Sequence, residues 1–268
     1  MSGRAPRSDA DPALARVVAQ HARTSSLLGV DFVPAYRSPV PASQGGGAMI
    51  EPKPAPVGVS GVSGVSGAER QRRLDDLMAR YERDAPHAPF ISSYTNIVFG
   101  EGDPCARLMF IGEAPGEQED LTGRPFVGRA GDLLQRMIVA MGLERERVYI
   151  ANVLKVRPPN NATPTLEETR ASAPYLFEQI EIVAPEVIVT LGLPATRTIL
   201  ETEESMGRLR GLWSAFRTPS GREVPVMPTY HPAYLLRAYT TENRAKVWSD
   251  LLKVVERLGL TPRRGEGQ

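Results

Sequence analysis

Cysteine is nearly missing. The 268-residue chain has one, Cys105, so no internal disulfide can form; this fits a reducing compartment and predicts a cytoplasmic protein. Histidine is scarce too, with only His21, His87 and His231, and no Cys/His cluster occurs. A dedicated metal site is therefore not expected. No run approaches the roughly 18 apolar residues of a membrane span. The opening stretch MSGRAPRSDADPALARVVAQ lacks a long apolar core, so no signal peptide is expected. The formal net charge is only +1, and bulk charge names no partner. The GxxxxGK[ST] phosphate loop and the GxGxxG dinucleotide loop are also absent where a glycine turn does occur, at Glu113-Ala114-Pro115-Gly116.

What is present divides the chain in two. Residues 1–67 are rich in Pro, Gly and Ser and carry a GVS triplet repeated three times. Such a composition buries too little apolar surface to offset chain entropy, and predicts a disordered tail or tether. Within it, DPALARVVAQHARTSSLLGVDF reads either as a short helix or as transient helicity. A folded domain is expected over 68–260, opened by a helix with Leu74, Leu77, Met78 and Tyr81 at helical spacing. Residues 261–268 should fray.

Four short apolar runs recur in that domain: RLMFIG, RVYIANVLK, EVIVTLG and VPVMPTYH. Helical patterns separate them. The expected fold is α/β, three layers αβα around a central four-stranded parallel sheet. In such sheets, ligands bind beyond the carboxyl ends of the strands. The residues placed there are Glu113, Asn152, Gly192 and His231, and they should share one crevice.

Each of these stretches has a chemical and a structural reading. Ala114-Pro115-Gly116 followed by acids is a stiff strand-to-helix turn. Phe126, in the glycine-rich TGRPFVGRAG, either presents its ring to a flat ligand or anchors a loop. Asn152 interrupts an apolar strand; its amide matches the edge of a nucleobase, or ties down a loop. Asn160 and Asn161 read as simple loop residues. His231 ends a strand before Pro232, and Tyr234, Leu235, Leu236 and Arg237 follow. The leucines either wedge into a base stack on an exposed loop, with Arg237 on phosphate, or pack inward from a helix N-terminus. Cys105, just before a strand, reads as a small buried residue. Arg124, Arg129, Arg157, Arg208, Arg210 and Arg237 lie in the strand-end loops as a candidate phosphate rim or as scattered surface charges. Lys155 is a further candidate phosphate contact.

In order, NIVFGEGDP, GEAPGEQED, GRPFVGRAG, NVLKVRPP, VIVTLGLPA, GRLRG and HPAYLLR resemble the uracil-DNA glycosylase superfamily, in particular its family-four type, over roughly residues 70 to 258. The resemblance implies that Phe126 stacks on a flipped base and that Asn152 bonds its Watson–Crick edge. His231 would stabilise the departing uracil anion. Glu113, with Glu119 near it, would place water or steady the sugar cation. The Ala114-Pro115-Gly116 backbone would press on the DNA, and Leu235 and Leu236 would fill the vacated space. Arg157, Arg210, Tyr234 and Arg237 would contact DNA, single- or double-stranded, and the protein would act as a monomer. Family-four members hold an iron–sulfur cluster with four cysteines. Here Ala85, Ala88, Val156 and Ser172 stand in those positions, which predicts no cluster. The function implied is monofunctional removal of uracil from DNA, without strand cleavage because no lysine is placed as a Schiff-base nucleophile. The alternatives are a glycosylase for hypoxanthine or xanthine, and a non-catalytic DNA or abasic-site binder.

Overall fold

The structure, a computed structural model, describes residues 65–263; the N-terminal tail and its candidate helix lie outside the described residues. Helix α1 (Gly67–Asp84) starts where Ser66 Oγ accepts from Glu69 N, and buries Leu74, Leu77 and Tyr81. It stops at Ala85, whose backbone is left-handed at φ 40°. There follow β1 (Glu101–Gly102), β2 (Leu108–Gly112), α2 (Glu117–Thr122), α3 (Arg129–Ala140) and β3 (Tyr149–Asn152). The second half comprises α4 (Leu166–Val183), β4 (Val187–Leu191), α5 (Leu193–Leu200), α6 (Met206–Leu209), β5 (Ser214–Arg217), β6 (Glu223–Thr229), α7 (Pro232–Arg237) and α8 (Thr241–Arg257).

The sheet has six strands in the order β1-β3-β2-β4-β6-β5. The four expected strands are its parallel centre. Two antiparallel edge strands, not anticipated, complete it: β1 on β3 and β5 on β6. Neither carries a readable pattern. β1 is two residues long, and β5 buries only Phe216.

Side chains of the central strands alternate between two cores, as strand geometry requires. Leu108 and Phe110 enter one, with α3 and α8, whereas Met109 and Ile111 enter the other, with α1, α4 and α5. This is the expected three-layer arrangement. Strand β2 has β3 on one side and β4 on the other. The chain order therefore reverses at β2, the topological position at which open sheets form a crevice.

One local expectation fails. Cys105 is exposed, not buried. Of the expected frayed tail, residues 261–263 carry no secondary structure, with Thr261 and Arg263 exposed and Arg263 3.6 Å from Glu144, and 264–268 lie outside the described residues.

Candidate active site

A cavity of about 640 Å³ lies beyond the carboxyl ends of the parallel strands, and Glu113, Asn152, Gly192 and His231 all line it. Those residues follow or end β2, β3, β4 and β6. Ala114, Pro115 and Gly116 form one wall, and Phe126 another.

The ring of Phe126 is held by an absence of side chains. Its own backbone is left-handed, at φ 51°. A Cβ on Gly112 would stand 2.6 Å from Phe126 Cζ and 2.3 Å from Asn152 Oδ1, and one on Gly131 would stand 2.0 Å from the Phe126 carbonyl oxygen. Both glycines are thus required for space. Their signal in the sequence was weak, because a glycine ending a strand or opening a helix is commonplace. The Phe126 ring centroid lies 5.5 Å from that of His231, with 31° between the planes.

Asn152 is 1% exposed, and its Oδ1 has no hydrogen-bond partner among the described residues. A buried amide oxygen left so costs about 1–3 kcal/mol. Its position on the cavity lets a ligand supply the missing donor.

His231 is the N-cap of α7, and its Nδ1 accepts a hydrogen bond from Ala233 N at 3.0 Å. An atom accepting from an amide carries no proton, so the neutral ring must hold its hydrogen on Nε2. Burial pushes the imidazole down to about 4; Arg237 acts in the same direction, and Glu119 opposes. At neutral pH His231 is therefore an uncharged Nε2–H donor. Gly192, at φ 90°, lets the chain pass: a Cβ there would stand 3.0 Å from that of His231.

The two acids differ. Burial holds the Glu113 carboxyl above its ordinary range, partly offset by Arg237. Glu119, expected beside it in catalysis, is committed to the backbone: Oε1 accepts from Val127 N at 2.9 Å and Gly128 N at 3.0 Å, and Oε2 from Gly116 N at 3.1 Å. It braces two walls of the cavity together.

Several expected DNA contacts are placed otherwise. Pro232 opens a helix here, not a loop. Leu235, on α7, is 1% exposed and packs in the core, so the inward-packing reading holds for it, whereas Leu236 packs against that core and stays partly exposed. Tyr234 and Arg237 are the exposed side chains of that turn and line the cavity. Arg210 is bound to Asp250 and to the Lys246 carbonyl oxygen, Arg124 to Glu101, and Arg208 to Glu204. Arg129, Arg157 and Arg237 form no ion pair among the described residues. Arg157 donates to Asn161 Oδ1 at 2.7 Å, and Asn161, read as a simple loop residue, lines the cavity. Lys155 is fully buried, and burial pushes its amine down to about 7. It cannot reach a phosphate.

A family model described as "Uracil DNA glycosylase superfamily" matches residues 99–252. The chain belongs to the uracil-DNA glycosylase superfamily. Within that superfamily it is 43% identical over 184 residues to the type-4 uracil-DNA glycosylase of Thermotoga maritima, covering 68% of this chain and 94% of that protein. It is 46% identical over 175 residues to the type-4 enzyme of Sulfurisphaera tokodaii, covering 63% of this chain and 78% of the relative. A type-5 uracil-DNA glycosylase of Pyrobaculum aerophilum is 31% identical over 151 residues, half of this chain and 64% of its own.

The four positions where a family-four glycosylase would hold its cluster offer two methyl groups, an isopropyl group and one hydroxyl. Ala85 and Ala88 share a turn, and Val156 and Ser172 are buried. Rings fill this corner. Tyr81 stacks on His87 at 5.4 Å and meets Tyr175 edge-on at 5.0 Å, and Tyr94 meets His87 edge-on at 4.8 Å. Iron–sulfur clusters need thiolate ligands, and these residues do not fit one.

Proposed function

We propose that this glycosylase hydrolyses the N-glycosidic bond of uracil in DNA, leaving an abasic site, and does so without an iron–sulfur cluster. A base in a stacked duplex is out of reach, so it must be flipped into the cavity at a cost of a few kcal/mol. The Phe126 ring then flanks it, and the Asn152 amide pairs with its edge. As the C1′–N bond breaks, electrons pass to uracil and the sugar becomes cationic. His231 Nε2–H donates to the uracil oxygen where the negative charge gathers, a preorganised donor in a water-poor site. Glu113 faces the opposite charge: its carboxylate steadies the sugar and takes the proton of the water that adds to C1′. Arg237, Arg157, Arg129 and Tyr234 contact the strand.

The observation that carries this reading is the Ala233 N–H bond to His231 Nδ1, which leaves a neutral Nε2–H donor in the cavity that holds the unpartnered Asn152 oxygen. The test incubates the protein with single- and double-stranded DNA containing uracil, hypoxanthine or xanthine, then treats with alkali. Alkali-labile sites at uracil are the expected result. Labile sites only at a purine would transfer the activity to that base, and binding with no labile site would make this a DNA-binding protein. The purified protein should be colourless and should keep its rate after dialysis against a chelator.

A further inference from the structure

We propose that Lys155 is a positioning residue for Asn152, fixing from behind the amide that reads the base. This rests on the reading of Asn152 given above. Strand β3 ends at Asn152, and the chain then turns. Val153 N and Leu154 N still donate to the carbonyl oxygens of Gly112 and Glu113, at 3.0 and 3.1 Å. The Asn152 carbonyl oxygen instead accepts a hydrogen bond from Lys155 Nζ, at 2.7 Å. The side chain thus folds back three residues and ties down the peptide plane between Asn152 and Val153. That plane sets the direction of the Asn152 Cα–Cβ bond, and with it the reach of the amide into the cavity.

The amine is itself held on every side. Its second acceptor is Gln179 Oε1 on α4. Gln179, fully buried, is oriented in turn by donating Nε2 to the Phe99 carbonyl oxygen at 2.9 Å and to the Tyr149 hydroxyl at 3.3 Å. The Phe99 ring centroid lies 5.4 Å from Nζ. The Lys155 carbonyl oxygen accepts from Val98 N at 2.7 Å. A layer of buried polar contacts therefore runs from α4 through Lys155 to the residue at the cavity wall. An amine so enclosed does not touch DNA, and its effect must pass through Asn152.

A double-mutant cycle under single-turnover conditions tests this. Lys155→Met in the wild-type background should lower uracil excision roughly 10- to 100-fold, the scale of a small misplacement of a reacting group. Binding to DNA bearing a tetrahydrofuran abasic analogue should stay within about twofold of wild type. In the Asn152→Ala background the same substitution should change the rate less than about twofold. Gln179→Leu, which frees the amine on its far side, should show a smaller loss with the same disappearance, and decides the matter if Lys155→Met does not fold. A penalty that persists undiminished in the Asn152→Ala background, or abasic binding that falls with the rate, overturns the proposal. If wild-type protein leaves uracil in place, or Asn152→Ala excises at the wild-type rate, the base-reading role of Asn152 fails instead.

Discussion

At the carboxyl end of the sheet, Asn152 Oδ1 is buried without a hydrogen-bond partner; in the corner between α1 and α4, His87 Nδ1 is in the same condition. The difference is what each atom faces. The Asn152 oxygen borders a cavity of about 640 Å³, whereas His87 is enclosed by the rings of Tyr81 and Tyr94. Unsatisfied polarity alone therefore does not mark a site. It marks one where space remains for the partner to arrive. Packed rings fill the corner, and the pocket keeps its space by the absence of side chains at Gly112 and Gly131.

That contrast can be broken by substitution. The largest effect should come from His231→Ala, which removes the donor facing the leaving base: turnover should fall roughly 100- to 1,000-fold, or about 3–4 kcal/mol, and the lost N-cap bond to Ala233 N should cost about 0.5–2 kcal/mol of stability. An unchanged rate would remove the histidine from the mechanism. Gly112→Ala comes next. Its methyl would press on both Asn152 and Phe126, costing about 1–3 kcal/mol of stability by overpacking together with most of the activity. Melting and excision assays on the same preparation would expose a mutant that loses neither.

Acidity sharpens the contrast further. Glu113 takes up its proton above its ordinary 4.5, and His231 only near 4. As pH falls, kcat should therefore drop first with Glu113. In Glu113→Gln that limb should vanish, leaving a lower rate that is flat until His231 protonates near 4. Stability has its own sign. The unfolded imidazole binds a proton near 6.5, so between 6.5 and 4 the unfolded chain holds more protons and the native state weakens as pH falls. His231→Gln should flatten that slope in denaturant titrations. The smallest effect belongs to the corner. Tyr81→Phe keeps the packed ring and deletes a buried hydroxyl beside Ser172 and the Lys155 backbone; it should cost no more than about 1.5 kcal/mol of stability, at an unaltered excision rate.

The convergence of the strand ends was legible because polar residues at the close of apolar runs have one place to go in a parallel sheet. Other features depended on contacts between distant segments. Glu119 looked like a second catalytic acid until two loops, at Gly116 and at Val127-Gly128, were seen to share its carboxylate. Arg210 looked like part of a phosphate rim, but Asp250, forty positions on, claims it. Lys155 looked like a phosphate contact and is instead a buried support. Leu235 was misjudged through Pro232: a proline after a strand stops a ladder, yet it also starts a helix, and only the packing against α3 decides between them. The edge strands were too short to carry any alternation.

Cys105 stands just before β2, at the end of the sheet opposite the cavity, and its side chain is exposed. As the chain's single sulfhydryl, it offers thiol reagents one point of attachment, away from the working face. A dye attached there would report DNA capture without obstructing it, and a crosslink between two such sulfurs would join copies back to back with both mouths open.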